Sequence, residues 1–267
     1  MKTLTLSLVA LLSLGAVSAR ADQLDDIKKR GTLVCATLGT TEPFSFQDLT
    51  TRQTAGYDVD FCKAIADALG VKLELKLVAV EARIPELSQG RVDVVAANLG
   101  YTPERAEQID YSDFYYVSQQ KLLARDAEGF KAASDLGGKR VSAIKGSTSE
   151  LAVKNSIPSA QTVTFQDAPA AFLAMQQRKV AAFAASEIML VKFRSQAGTG
   201  LEILEPSLMR EPWGIGVRKG EKSLLAAVNK ALLDLEASGK AAAIFTKWLG
   251  ADSPYHLTRE FKIEPRS

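Results

Sequence analysis

The stretch ANLGYTPERAEQIDYSDFYY, residues 97–116, decides how the rest of the chain is read. It follows the apolar run Val92-Asp93-Val94-Val95-Ala96-Ala97, which reads as a strand. Thr102 and Pro103 then mark a helix start, with a hydroxyl residue at the N-cap and proline at the first helical position. Arg105 falls in the first turn of that helix, the end where the backbone already carries partial positive charge. A cation there is unfavourable unless an anion joins it. That anion is either a neighbouring side chain, Glu104 or Glu107, or a bound group lying over the helix start.

Upstream, residues 23–30 read as a short helix with a basic end, stopped by Gly31. A strand at 33–37 follows, then a loop holding Glu42-Pro43-Phe44-Ser45-Phe46, and a helix that runs from Gly56 to Gly70. A strand at 71–80 and a helix at 81–89 bring the chain to the strand at 92–98. Strands alternating with helices at this spacing imply a parallel sheet and an α/β class. Downstream the pattern restarts. Strands are expected at 121–124, 140–144, 162–165 and 180–185, the last running into Ser186-Glu187. Between them lie a helix-and-turn at 134–138, a helix opened by a capping box of Ser147 and Glu150, and a helix capped by Asp167 that runs to Arg178. After a turn-rich stretch come a strand at 213–218 and amphipathic helices at 223–237 and 240–249. Two α/β units therefore follow one another, and the chain crosses between them near 117–124 and 208–216.

The first residues differ. Lys2, an apolar run from 4 to 17 and the small-x-small group Ala19-Arg20-Ala21 form a secretory leader, 1–21, with cleavage expected after Ala21. No cysteine stands at that point for lipid attachment, and no later segment has the roughly 18 apolar residues of a membrane span. Of 33 Lys and Arg, the leader removes Lys2 and Arg20, leaving 31 against 31 Asp and Glu. Without an excess or a basic cluster, nothing points to nucleic acid. Export places Cys35 and Cys62 in an oxidising compartment. Cys35 lies on a strand and Cys62 on the apolar face of a helix beside Val59, Ile65, Ala66 and Leu69, faces that meet in a strand–loop–helix unit. A bridge is expected, with two small buried hydrophobes as the alternative. The spacing fits neither CxxC redox chemistry nor zinc, and no metal or cofactor is expected.

The motifs Arg30-Gly31-Thr32-Leu33, Pro43-Phe44-Ser45-Phe46, Gly56-Tyr57-Asp58-Val59-Asp60, Ile84-Pro85-Glu86-Leu87 and Thr102-Pro103-Glu104-Arg105-Ala106-Glu107 occur in that order. Tyr111-Ser112-Asp113, Lys145-Gly146-Ser147-Thr148 and Trp213-Gly214-Ile215-Gly216-Val217-Arg218-Lys219-Gly220 complete the set. In these motifs the chain resembles the bacterial extracellular solute-binding proteins of family 3, the polar amino-acid receptors of ABC importers. The resemblance implies an α/β, two-lobed periplasmic-binding-protein fold of type II, with two hinge strands and the ligand in the cleft. Lobe 1 is then 22–119 plus 214–267, and lobe 2 is 120–213. It implies a periplasmic monomer that captures a small carboxylate-bearing ligand and delivers it to a membrane permease. It also implies a role for Arg105, a salt bridge to the ligand α-carboxylate, and physical chemistry agrees: a helix start offers free N–H groups, and arginine adds a planar two-donor fork. From the second lobe, Thr148 is expected to give a hydroxyl and Ser147 a backbone N–H; an ordinary capped helix is the alternative.

The departures from that pattern bear on the ligand. The usual Thr or Ser at position 100 is Gly100, which leaves only its N–H. Asn98 stands where Gly or Ser is common and offers a side-chain amide, and the usual aromatic at position 80 is Val80. Phe44 is a candidate pocket wall, with a core role as the alternative. The aspartate that usually holds the α-ammonium falls on Ser186, so Glu187 is expected to replace it if the strand end turns it inward. Arg83, before Ile84-Pro85, resembles receptors that take acidic amino acids. Arg83 and Arg105 beside few cleft acids favour a ligand with two anionic groups, glutamate or aspartate, over other polar amino acids or a plain organic acid.

The same fold hosts enzymes resembling cyclohexadienyl dehydratase, whose catalytic glutamate falls on Met189, a residue unable to do acid–base work. The single histidine, His256, has no partner pattern, and no GxSxG, HExxH or phosphate-loop motif occurs. A receptor, not an enzyme, is expected.

Overall fold

The structure is a computed structural model that describes residues 22–266. The leader expected at 1–21 lies outside the described residues. Helix α1 (Gln23–Arg30) leads into β1 (Thr32–Thr37), two short strands β2 (Thr40–Thr41) and β3 (Ser45–Gln47), and β4 (Thr54–Ala55). Then come α2 (Tyr57–Leu69), β5 (Lys72–Leu77), α3 (Arg83–Ser88), β6 (Val94–Val95), α4 (Pro103–Gln108) and the long β7 (Ile109–Arg125). The second run is β8 (Arg140–Ile144), α5 (Thr148–Ser156), β9 (Gln161–Phe165), α6 (Ala168–Gln176), β10 (Ala182–Ser186) and α7 (Glu187–Ala197). The chain returns along β11 (Leu201–Arg218) and ends in α8 (Lys222–Ala237) and α9 (Lys240–Leu249).

Eight strands form one sheet in the order β5-β1-β6-β11-β7-β10-β8-β9. Strands β5, β1 and β6 are parallel, as are β10, β8 and β9. Between these two parallel sets, β7 and β11 run antiparallel to each other, with Arg218 opposite Ile109 and Leu201 opposite Arg125. One end of the pair carries β6 and the other carries β10. These two strands therefore belong to both halves of the molecule.

Both central strands are far longer than the sequence reading, which gave only 121–124 and 213–218. Pro206 lies within β11, and a proline cannot donate to a ladder. The ladder breaks where that proline sits, between Leu204 and Met209, and resumes beyond it. Three further elements differ from expectation. The small antiparallel sheet β2-β3-β4 and helix α7 were not foreseen, and α3 begins at Arg83 after a 3-10 turn over Val80–Ala82.

The first half packs on aromatic rings. Phe44, Tyr57, Phe61, Tyr115, Tyr116 and Trp213 are all buried, and Phe44 meets Trp213 with ring centroids 4.7 Å apart. Cys35 on β1 is bonded to Cys62 on α2, with Cα atoms 6.1 Å apart, as expected. The second half packs on two sides: Leu122, Leu136, Val141, Val153, Ala182 and Ala184 on one, and the rings of Phe172, Phe183 and Phe193 on the other, with Phe172 and Phe193 stacked at 4.5 Å. Among the described residues, no helix is long and apolar enough to cross a membrane.

Candidate functional site

Several strand ends converge on the middle of the sheet. Beyond β6 the chain turns at Asn98, which adopts a left-handed φ of 50°. Asp58 on α2 fixes this turn from below. It is fully buried and accepts from the Asn98 N–H at 2.9 Å and the Tyr115 hydroxyl at 2.7 Å. Burial pushes its carboxyl up to about 7, against the pull of those two donors. Gly100 then bridges to Trp213 on β11, and Thr102 caps α4 by accepting from the Arg105 N–H at 3.2 Å.

Arg105 does not hold its charge along the helix axis. Its Nη1 donates to the Gly100 carbonyl at 2.8 Å, and its Nη2 donates across the cleft to the Gly146 carbonyl at 2.9 Å. Arg83 reaches the same carbonyl at 3.3 Å. Its other donors go to Val80 O (2.7 Å), Ala97 O (2.8 Å) and Asn98 O (2.7 Å). Arg83 is 3% exposed, and burial, then the neighbouring Arg105 charge, push its guanidinium down to about 9. It remains a cation at neutral pH.

Gly146 is a point of close approach between the halves. It has a φ of 72°, and a Cβ there would lie 2.8 Å from the Glu81 Cα, so only glycine fits. Ser147 caps α5, and the Glu150 carboxylate takes the Gly146 N–H at 2.8 Å, one residue earlier than a standard capping box.

Glu211, on β11, was missed in the sequence. It is 1% exposed and accepts hydrogen bonds from the Thr148 hydroxyl and the Gln120 side-chain amide. Burial pushes its carboxyl up, opposed by those donors and by the Arg105 charge. The carboxylate fills the space that a side chain at position 100 would take: a Cβ on Gly100 would fall 1.4 Å from its Oε1. Glu211 holds this position only while residue 100 has no side chain. The bare glycine in place of a hydroxyl residue was the available signal.

Glu211, Thr148, Ser147, Arg83, Asn98 and Ser186 line one cavity, with Val80, Met189 and Trp213 as its apolar walls. Asn98 Oδ1 and Nδ2 and Ser186 Oγ are buried there without hydrogen-bond partners. Arg105 and Gly100 stand beside this cavity without lining it, and two further expected site residues lie elsewhere. Phe44 is fully buried in the aromatic core against Tyr57, Tyr116 and Trp213 and does not line the cavity. Glu187 does not turn inward: Ser186 ends β10, and Glu187 starts α7 pointing to a separate groove, paired with Lys121 at 2.7 Å.

A family model described as bacterial extracellular solute-binding proteins, family 3, matches residues 33–251. The chain belongs to this family. Among its relatives, the L-cystine-binding protein TcyJ of Escherichia coli (strain K12) is 31% identical over 248 residues, covering 91% of this chain and 93% of the relative. A solved ancestral arginine-binding protein bound to arginine superposes with a TM-score of 0.78 at 36% identity, covering 83% of this chain and 99% of the other. The ancestral amino acid-binding protein AncCDT-1, a precursor of cyclohexadienyl dehydratase, superposes with a TM-score of 0.78 at 32% identity, covering 85% and 100%. The fold is that of the type II periplasmic amino-acid-binding proteins, in which β7 and β11 are the hinge strands of this solute-binding protein.

Proposed function

We propose that this solute-binding protein captures an amino acid in the cavity between its two lobes and delivers it to the membrane permease of an ABC importer. It would work in the periplasm as a monomer, after removal of the leader 1–21. In this reading one lobe comprises 22–119 with 214–267 and the other 120–213. The observation that carries the reading is the meeting, at the Gly146 carbonyl beside the cavity, of the Arg105 guanidinium from one half and a capped helix start from the other. Arg105 would exchange its carbonyl partners for the ligand carboxylate, a charge-assisted pair of greater strength. Related chains that bind cystine or arginine support an amino acid as cargo.

We infer a neutral or basic amino acid rather than an acidic one. The acidic reading rested on Arg83 as a free cation and on a lack of acids in the cleft. Arg83 instead donates to four backbone carbonyls, and Glu211 is an acid in the cleft. A thermal-shift panel of arginine, cystine, glutamine, histidine, glutamate, aspartate, 2-oxoglutarate and succinate tests this. Stabilisation by a neutral or basic amino acid is expected. Stabilisation by succinate or 2-oxoglutarate alone would overturn the amino-acid reading.

A second reading is a dehydratase, favoured by the buried acid Glu211 and the likeness to a precursor of such an enzyme. Met189 in the cavity wall argues against it, because a thioether cannot transfer a proton. Product formation on incubation with prephenate or arogenate would establish the enzyme.

A further inference from the structure

We propose that Glu211 receives the ammonium group of the ligand, in place of the strand-end carboxylate that position 186 lacks. The proposal rests on the amino-acid reading above. Glu211 is 1% exposed, and its hydrogen bonds among the described residues come from neutral donors, Thr148 and Gln120. A carboxylate withdrawn from water is costly unless a cation or several donors compensate it. These donors and the nearby Arg105 charge compensate it only in part, since burial still outweighs them, so the site favours an incoming cation.

The surroundings match the shape of that cation. An ammonium carries three N–H donors and no acceptor. The cavity offers a Glu211 carboxylate oxygen, the Ser186 hydroxyl oxygen and Asn98 Oδ1. The last two are buried with no hydrogen-bond partner, a costly condition that an ammonium would relieve. The opposite charge is close by, near enough for Arg105 and Arg83 each to interact with Glu211. Arg105 and Arg83 both end on the Gly146 carbonyl. A zwitterion thus finds cations for its carboxylate and an anion for its ammonium without any carboxylate at position 186.

Gly100 completes the arrangement. A side chain at that position would overlap the Glu211 carboxylate, so the bare glycine at 100 gives the carboxylate its place. Glu211 comes from the central strand β11, whereas Ser186 ends β10 in the second half. The ammonium's anionic partner would therefore come from a hinge strand, with the Ser186 hydroxyl added from the end of β10.

Isothermal titration calorimetry with two ligand pairs tests this: L-arginine against 5-guanidinopentanoate, and L-glutamine against 4-carbamoylbutanoate. Each pair differs only by the α-ammonium. The wild-type protein should prefer the amino member of its bound pair by about thirtyfold or more, the scale of a buried charge pair. Glu211→Gln should abolish most of that preference by weakening the amino compound. Gly100→Ala, which displaces the carboxylate sterically, should do the same and serves if Glu211→Gln fails to fold. A preference unchanged in the folded variant would overturn the proposal. So would tighter binding of both members of a pair, which would make Glu211 a competitor for the carboxylate's place. If wild-type protein binds no amino acid of the thermal-shift panel, the functional reading itself fails, and that failure is seen before any variant is made.

Discussion

The two halves of the sheet share one plan of alternating strands and helices but differ in their packing and in what they bring to the cleft. The first packs six large aromatic side chains and a disulfide, and carries the buried charges Asp58 and Arg83 together with Arg105. The second packs alanine, valine and leucine with three rings, Phe172, Phe183 and Phe193, and presents mostly neutral groups: the Ser147, Thr148 and Ser186 hydroxyls and the Gly146 carbonyl. Buried charges need fixed partners, because a small displacement leaves them unsatisfied in a medium of low dielectric. Neutral hydroxyls and carbonyls can leave and rejoin water at smaller cost. The charged half is thus suited to hold its shape, and the neutral half to approach and withdraw.

The largest effect should come from the aromatic packing. Phe61→Ala should cost about 3–5 kcal/mol in urea unfolding, and Leu136→Ala in the second half nearer about 2 kcal/mol. Equal losses would break the comparison. Arg105→Ala should leave the melting temperature nearly unchanged but weaken ligand binding by about 2–5 kcal/mol, read by calorimetry. Unchanged affinity would reduce Arg105 to a strut between Gly100 and Gly146. Reduction of the Cys35–Cys62 bond, which closes a loop of 27 residues, should cost about 3.5 kcal/mol on the chain-entropy scale. Thermal melts with and without reductant check this, and a change of ligand preference on reduction would show that the bridge shapes the cleft as well as the core.

The smallest and most local effect concerns pH. Asp58 has its folded-state value raised from 3.8 to about 7, so the folded chain holds this proton more tightly than the unfolded chain. The stability from this group is present below pH 3.8 and is lost as pH rises through about 7. Asp58→Asn should flatten that slope in urea titrations across the window. A slope shared by both proteins would assign it to other groups.

Much of this division was legible in the sequence. Val92-Asp93-Val94-Val95 and Arg140-Val141-Ser142-Ala143-Ile144 carry the apolar signature of buried strands, and Gly31, Gly70 and Gly90 mark where helices stop. Arg105 stood out because a cation at a helix start needs a reason. The rest depended on contacts between distant residues. The central strands hid behind Pro206 and a run of polar residues, because a strand paired on both sides needs no periodic pattern of its own. The bonds of Arg83 go to backbone carbonyls, which leave no mark on residue identity. Glu211 is explained by Gly100 and Thr148, neither of them near it in the chain.

The shared central pair also orders the assembly of the molecule. Strands β7, β10, β8 and β9 are all made before residue 201, so the second half can reach its final ladder while the chain is still lengthening. The first half cannot. Strand β6 keeps an unpaired edge until Val217 and Gly216 arrive to cover it, and Ile109 waits for Arg218. Pairing over such distances is slow, and an open edge in the meantime is a template for wrong partners. The half begun first is finished last, and the arrival of β11 acts as the clasp that ends this exposed interval.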